Sequence, residues 1–279
     1  MDVQMHNANQ ATQLREFAQL AKTFSILPVD MMDGQAAFRK DYGECQMVLL
    51  TNPDVGLPYG RLPRLIVAYL SAEAKRTGDR RIFVGNSLQE FAMLVGVKTT
   101  DGDRGDLTRL CTQGHRLFAA QIRVTELETN RFKWQHINIA DNGHVLWAQH
   151  DPIPIVRERA ANTPWPSYIE LSEPFARECI NHAVPVDINT IRNLSGPMAI
   201  DVYMWLTYRY FLIGDEMTLN WPQLKWLFSD SFADSNRGLK TFKTKFREIL
   251  TEVTNYYPEA KIVVDDIRGV TLLPSQPTV

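Results

Sequence analysis

The stretch that most constrains this chain runs from Asn236 to Val253 and reads NRGLKTFKTKFREILTEV. At 3.6 residues per turn, Leu239, Phe242, Phe246, Ile249, Leu250 and Val253 fall on one apolar face. The segment therefore has to be a helix docked on a core by that side. Along its flank Arg237, Lys240, Lys243 and Arg247 recur, and the five basic residues from Arg237 to Arg247 meet no carboxylate between them. A helix held by one side and positive and Thr-rich (Thr241, Thr244) on another is shaped to lie in a DNA major groove. The competing reading is an ordinary solvated basic face.

A second helix of the same kind bears on that choice. From Asp106 or Leu107 to about Ala119, the residues Leu107, Leu110, Cys111, Gly114, Leu117 and Phe118 form an apolar side. The opposite side carries Thr108, Arg109, Thr112, Gln113, His115 and Arg116 without one acid. Two helices with an apolar underside and an acid-free Arg/Thr/Gln face weigh against chance surface composition. The net charge of −2 argues the other way, but the charge is unevenly spread. Residues 1–60 and 151–187 each carry a local excess of acids, so the positive charge concentrates in the two helices and the hairpins after them.

Taken in order, Ala11 to Phe24 carries an amphipathic stripe, Leu27 to Arg39 is linker-like, and Gln46 to Leu50 is a short strand. A helix from Leu62 to Arg76 accepts Pro63 in its first turn and stops at Gly78. A strand follows at Arg81 to Val84, then a Ser87-capped helix from Leu88 to Val95 with Glu90 completing a capping box. The loop Thr100 to Gly105, with Arg104, leads into the second basic helix. Strands at Gln121 to Leu127 and Arg131 to Ala140 make a hairpin, and a further strand is expected at His144 to Ala148. Three helices and a hairpin is the order of a winged helix, with Arg123 and Lys133 on the wing. The Pro-rich run from 150 to 166 marks a boundary. Beyond it come a strand at Tyr168 to Leu171, helices at Glu173 to His182, Asp187 to Leu194 and Gly196 to Ile213, and a strand at Met217 to Leu219. A helix opening at Asn220-Trp221-Pro222, the basic helix, and a closing hairpin (Ala260 to Val264, Val270 to Leu273) with Arg268 at its tip complete the chain.

Several stretches resemble the plasmid-encoded RepA-type replication initiator family. They are LPYGRLPRLIVAYLSAEAKRTGDRRIFVGNSLQEFAMLVGV (57–97), QGHRLFAAQI (113–122), ELSEPFARECINHAVPVDI (170–188), AIDVYMWLTYRY (199–210), NWPQLKWLF (220–228) and the close YPEAKIVVDDIRGVTLLPSQPTV (257–279). The resemblance implies a tandem winged-helix protein that binds direct repeats in double-stranded DNA at a plasmid origin and starts replication. It also implies contacts with the host replication initiator and replicative helicase, and a possible homodimer.

No catalytic constellation is visible, so no enzyme is expected. There is no GxxxxGK[ST] loop to cradle a nucleotide, and no His-x-His pair to hold a metal beside a nicking tyrosine. Tyr203, Tyr208 and Tyr210, like Trp205, Trp221 and Trp226, read as packing residues. The Asp101 to Asp106 loop lacks the Gly and Glu of a calcium loop. No cofactor or metal is implied. Cys45, Cys111 and Cys179 are odd in number and far apart, which fits reduced thiols in a cytoplasmic protein. The longest apolar run is broken by Asp201 and Arg209, so no membrane span is expected.

The expectation is an α+β, mainly α chain of tandem winged-helix domains, each with three or more helices and a β-hairpin wing. Residues 1–45 form an N-terminal helix and linker, 46–150 the first domain, 151–166 a linker and 167–279 the second domain. The expected DNA-binding residues are Arg104, Arg109, Thr112, Gln113, His115, Arg116, Arg123 and Lys133 in the first half. In the second half they are Arg237, Lys240, Thr241, Lys243, Thr244, Arg247 and Arg268. Arg109 and Arg116 are the candidates for guanine edges. The alternatives are a tandem winged-helix transcription repressor and a scaffold that binds an acidic protein surface.

Overall fold

The computed structural model describes residues 26–32, 34–42, 45–100, 102, 105–128, 131–145, 167–182, 186–229 and 232–276. The expected helix at Ala11 to Phe24, the Glu128–Asn130 turn in part, and Arg104 lie outside them. The chain divides into two compact units, Met1–Ala183 and Val184–Val279.

In the first unit, helix α1 (Arg61–Thr77) is the centre. Every residue from Leu62 to Leu70 is buried, because α2 (Leu88–Val95), α3 (Asp106–Ala119) and α4 (Glu173–His182) all pack on it. Gly78 ends it in the left-handed region, donating its N–H to the Ala74 carbonyl. Arg64 is buried to 1% exposure. Its guanidinium donates to the carbonyls of Leu27 (2.8 Å), Pro28 (3.2 Å) and Gly60 (2.8 Å). Ile26 and Leu27 are fully buried, so the segment that reads as a linker is pinned into the core at its start. Its far end is a strand.

That strand, β1 (Ala37–Tyr42), pairs with β2 (Cys45–Leu50), which pairs with β4 (Gln121–Glu128) and then β5 (Arg131–Asn138), all antiparallel. Burial alternates along β2, with Cys45, Met47 and Leu49 inward. Leu49 sits opposite Ile122, and Ile122 opposite Ile137. A second sheet has the order β3 (Arg81–Phe83), β7 (Tyr168–Leu171), β6 (Ala140–His144). Ile82 faces Ile169 across it, and Arg81 faces Glu170. Arg80 ion-pairs with Glu170, and hydrogen bonds from Asn142 and Arg80 hold that carboxyl below its ordinary pKa.

Two expectations change here. The division of the chain falls after residue 183, not within 151–166, because β7 and α4, expected in the second domain, pack in the first. And the turn expected at Asp141 to Gly143 lies within a strand, β6, which runs from Ala140 to His144 and pairs with β7; residues 146–148 of the strand expected at His144 to Ala148 lie outside the described ones.

The second unit is built on α6 (Pro197–Leu212), buried on nearly every side from Met198 to Tyr210. Ahead of it, α5 (Ile188–Asn193) is capped by Asp187, whose carboxylate accepts the N–H groups of Asn189 and Thr190. Strand β8 (Met217–Leu219) feeds α7 (Trp221–Phe228), where Asn220 and Gln223 form a reciprocal capping box. Then comes the basic helix α8 (Asn236–Tyr256), capped by Ser235, and a hairpin of β9 (Ile262–Asp265) and β10 (Gly269–Leu272). The sheet order is β8-β10-β9, antiparallel throughout. Phe242 and Phe246 of α8 are fully buried. Their rings stack against Phe228, Phe232 and Trp221, with centroids 5.4 to 6.3 Å apart. Gly238 is required by packing, since a Cβ there would lie 2.1 Å from the Ala233 carbonyl oxygen. Tyr203, Tyr208 and Tyr210 are core residues as expected. Trp205 and Trp221 are buried too, whereas Trp226 is 43% exposed. Among the described residues no helix is long and apolar enough to cross a membrane.

Candidate nucleic-acid interface

Docking α8 by its phenylalanines leaves the opposite side of its first three turns in solvent. Arg237, Lys240, Thr241 and Thr244 are exposed there. The Thr241 hydroxyl donates to the Arg237 carbonyl (3.0 Å) and Thr244 to that of Lys240 (3.3 Å). The threonine protons are thus spent on the helix, and methyls and oxygen lone pairs face outward. The helix N-terminus adds positive potential at the same end.

Lys243 and Arg247 are half-buried and turned toward the hairpin tip. Both cations lie over the ring of buried Trp221, 5.2 and 5.1 Å from its centroid. The Lys243 ammonium donates to the Asp266 carbonyl at 2.8 Å, and the Arg247 guanidinium pairs with the Asp266 carboxylate. Trp221 Nε1–H donates to the Asp265 carbonyl at 2.9 Å. The Asp265 carboxylate accepts the N–H groups of Ile267 and Arg268. Those backbone bonds, Arg268's first, hold its pKa below the ordinary value. Both tip carboxylates, though exposed, are thus engaged within the unit, and exposed Arg268 and the 89% exposed Ile267 project beside them.

In the first unit the expected line Arg109–Thr112–Arg116 divides. Arg109 is exposed, 3.4 Å from Asp106 one turn earlier. Thr112 is half-buried and donates to the Thr108 carbonyl; His115 is half-buried as well. Gln113, expected on the recognition face, is 6% exposed and accepts the Tyr59 N–H at 2.9 Å. It is a core acceptor that ties the loop before α1 to α3, not a surface reader. Arg116, expected at a guanine edge, folds back on the same loop. Its guanidinium lies over the Tyr59 ring, 5.5 Å from the centroid, and Nη1 donates to the Leu57 carbonyl at 3.4 Å. Its Nε is buried without a hydrogen-bond partner. The reason in both cases is a loop that crosses α3 from outside the helix. Arg123 on β4 and Lys133 on β5 are exposed, and beside Lys133 stands Trp134, 61% exposed.

Sequence reasoning missed three participants: Tyr59 as the platform under Arg116, Trp221 as the platform under two cations, and Asp266 as a carboxylate laid on the basic helix. Only Trp221 left a signal, an aromatic at the first turn of a capped helix. Among the described residues no group of three His, Cys, Asp or Glu side chains is placed to hold a metal.

These units define an α+β protein of two helix-and-hairpin bodies, with an exposed basic row on α8 in the second and exposed Arg109, Arg123 and Lys133 in the first. The family model for the plasmid-encoded RepA protein matches residues 57–226, and the chain belongs to that family. Among solved structures, the crystal structure of selenomethionine derivatives of domains 2 and 3 of RctB is similar in fold. The TM-score is 0.57 at 10% identity, over 91% of this chain and 96% of that one. No curated protein matches the chain.

Proposed function

We propose that this protein starts plasmid replication by binding repeated double-stranded DNA sites at an origin through two winged-helix units. The observation that carries the reading is the exposed row of Arg237, Lys240, Thr241 and Thr244 on α8, beside a rigid hairpin. In the second unit the order helix α6, strand β8, helices α7 and α8, hairpin β9–β10 is that of a winged helix, with α8 as the groove helix. In the first, α1, β3, α2, α3 and the β4–β5 hairpin follow the same order, and Arg109, Arg123 and Lys133 supply outward charge. Family membership supports the plasmid role. It also supports recruitment of the host replication initiator and replicative helicase, and no step requires catalysis by this chain.

The test is fluorescence anisotropy of the full chain on duplexes carrying the direct repeats next to its coding region. Specific binding should fall steeply with salt. Lys240→Ala should weaken binding to all sequences alike and flatten the salt slope by about 1. Absence of any binding at low salt would overturn the reading in favour of a protein scaffold. Specific binding without support of an origin plasmid in transformed cells would leave a repressor.

A further inference from the structure

The exposed row of α8 divides into groups that donate hydrogen bonds and groups that cannot. Arg237, Lys240, Thr241 and Thr244 stand at i, i+3, i+4 and i+7, one stripe along the start of the helix. The two cations donate. The two threonines have already given their protons to the carbonyls four residues back, Thr241 to Arg237 at 3.0 Å and Thr244 to Lys240 at 3.3 Å. What each holds out is one methyl group beside an oxygen that can only accept. One turn further on, exposed Glu248 pairs with Lys245 at 3.1 Å, so the outward positive run closes there. The helix start itself is fixed, by the Ser235 cap and by the close approach of Gly238 to Ala233. These side chains therefore stand on rigid backbone at the end of a groove helix that reaches base edges.

A methyl beside an obligate acceptor selects among base pairs. In the major groove an A·T pair offers the thymine C5-methyl for apolar contact and the adenine N6 amino group as a donor. A G·C pair offers no methyl, and its guanine O6 and N7 would face the threonine oxygen with no proton between them. Arg237 and Lys240 have the opposite preference, for guanine acceptors or phosphate. Thr241 and Thr244 lie about 4.5 Å apart along the helix axis, against about 3.4 Å per base pair of duplex. On a helix lying along the groove, the two methyls thus meet neighbouring pairs.

We propose that Thr241 and Thr244 set the sequence preference of α8, each reading a thymine through its C5-methyl in two neighbouring A·T pairs. The inference rests on the DNA-binding reading given above and names the bases that this part of the interface recognises.

The experiment is fluorescence anisotropy of the full chain on the direct-repeat duplex, with each thymidine replaced in turn by deoxyuridine. That exchange removes one methyl and no hydrogen-bonding group. Two neighbouring positions should each lose about two- to fourfold in affinity with the salt slope unchanged; the upper figure corresponds to about 0.8 kcal/mol for one buried carbon. Thr241→Ser and Thr244→Ser keep the hydroxyl bond to the helix and remove only the methyl. Each should cancel the deoxyuridine penalty at one of the two positions and leave the other, with thermal unfolding near wild type. Where a sensitive T·A pair is changed to C·G, 5-methylcytosine should recover part of the binding lost with cytosine. Lys240→Ala should weaken the thymidine and deoxyuridine duplexes alike. Specific binding without a deoxyuridine penalty at any position, or with penalties that persist undiminished in both serine variants, overturns the inference and leaves the proposed function standing. A chain that binds no duplex at low salt removes both.

Discussion

The carboxylate of Asp266 is an acid laid on the basic helix from the hairpin tip, and removing its charge should strengthen DNA binding. Asp266→Asn keeps the side-chain shape and the main-chain oxygen that Lys243 uses. It frees the Arg247 guanidinium, which now pairs inward. If that guanidinium then neutralises one more phosphate, the slope of log affinity against log salt steepens by about 0.9. Raising salt from about 50 to about 200 mM should then weaken the variant about 3.5-fold more than the wild type, with the variant tighter at the low end. Loss of the pair itself is a small matter for the fold. Arg247 is 40% and Asp266 81% exposed, and pairs that open to water contribute under about 1 kcal/mol. Anisotropy titrations across salt, with a melting curve as control, provide the assay. An unchanged slope with equal or weaker affinity would refute the idea that Asp266 competes with phosphate, and would make it a support that holds Arg247 in place.

Arg64→Met should destabilise the first unit by about 3–5 kcal/mol in urea unfolding, because it removes a buried charged donor and strands carbonyls at Leu27 and Gly60. Gly238→Ala should lower the stability of the second unit by about 1–3 kcal/mol, since its Cβ runs into the Ala233 carbonyl; thermal melting reads it directly. Backbone donors hold the Asp265 carboxyl below its ordinary pKa. Its support of the hairpin tip is therefore present above the unfolded value, about 3.9, and is lost as pH falls through the lower folded value. Trp221 fluorescence, tied to the Asp265 carbonyl, should change only below about pH 4. Burial pushes the Cys179 thiol up to about 11, and Cys45 and Cys111 are buried as well. A thiol reagent at mildly alkaline pH should label all three cysteines only after unfolding.

How legible the fold was depended on how local each signal is. The helix α8 was readable because its phenylalanines recur at the helical period. Strand β8 and the capped α7 were readable for the same reason, from three or four adjacent residues. Pairing of β3 with β7 was not, because three residues with one inward isoleucine name no partner, and the partner lies beyond a Pro-rich run that reads as a boundary. The candidate interface shows the same division. Helical periodicity correctly set Arg237, Lys240, Thr241 and Thr244 outward. It also set Gln113 outward, where a backbone N–H from Tyr59, 54 residues earlier, claims the side chain. Arg116 is lost to the same loop. A wheel describes one helix, and what crosses that helix is written elsewhere in the chain.

The strand order β3-β7-β6 sets a timetable for synthesis. Strand β3 leaves the ribosome carrying an apolar Ile82 whose facing residue, Ile169, has yet to be made. At elongation rates of about 5–20 residues per second, that wait lasts roughly 4 to 18 seconds. Throughout it α1 can gather α2 and α3, but the sheet edge stays open on the nascent chain. A stop codon placed anywhere in the Pro-rich run would leave that edge open for good, so the shortest product able to close the first body has to extend through α4.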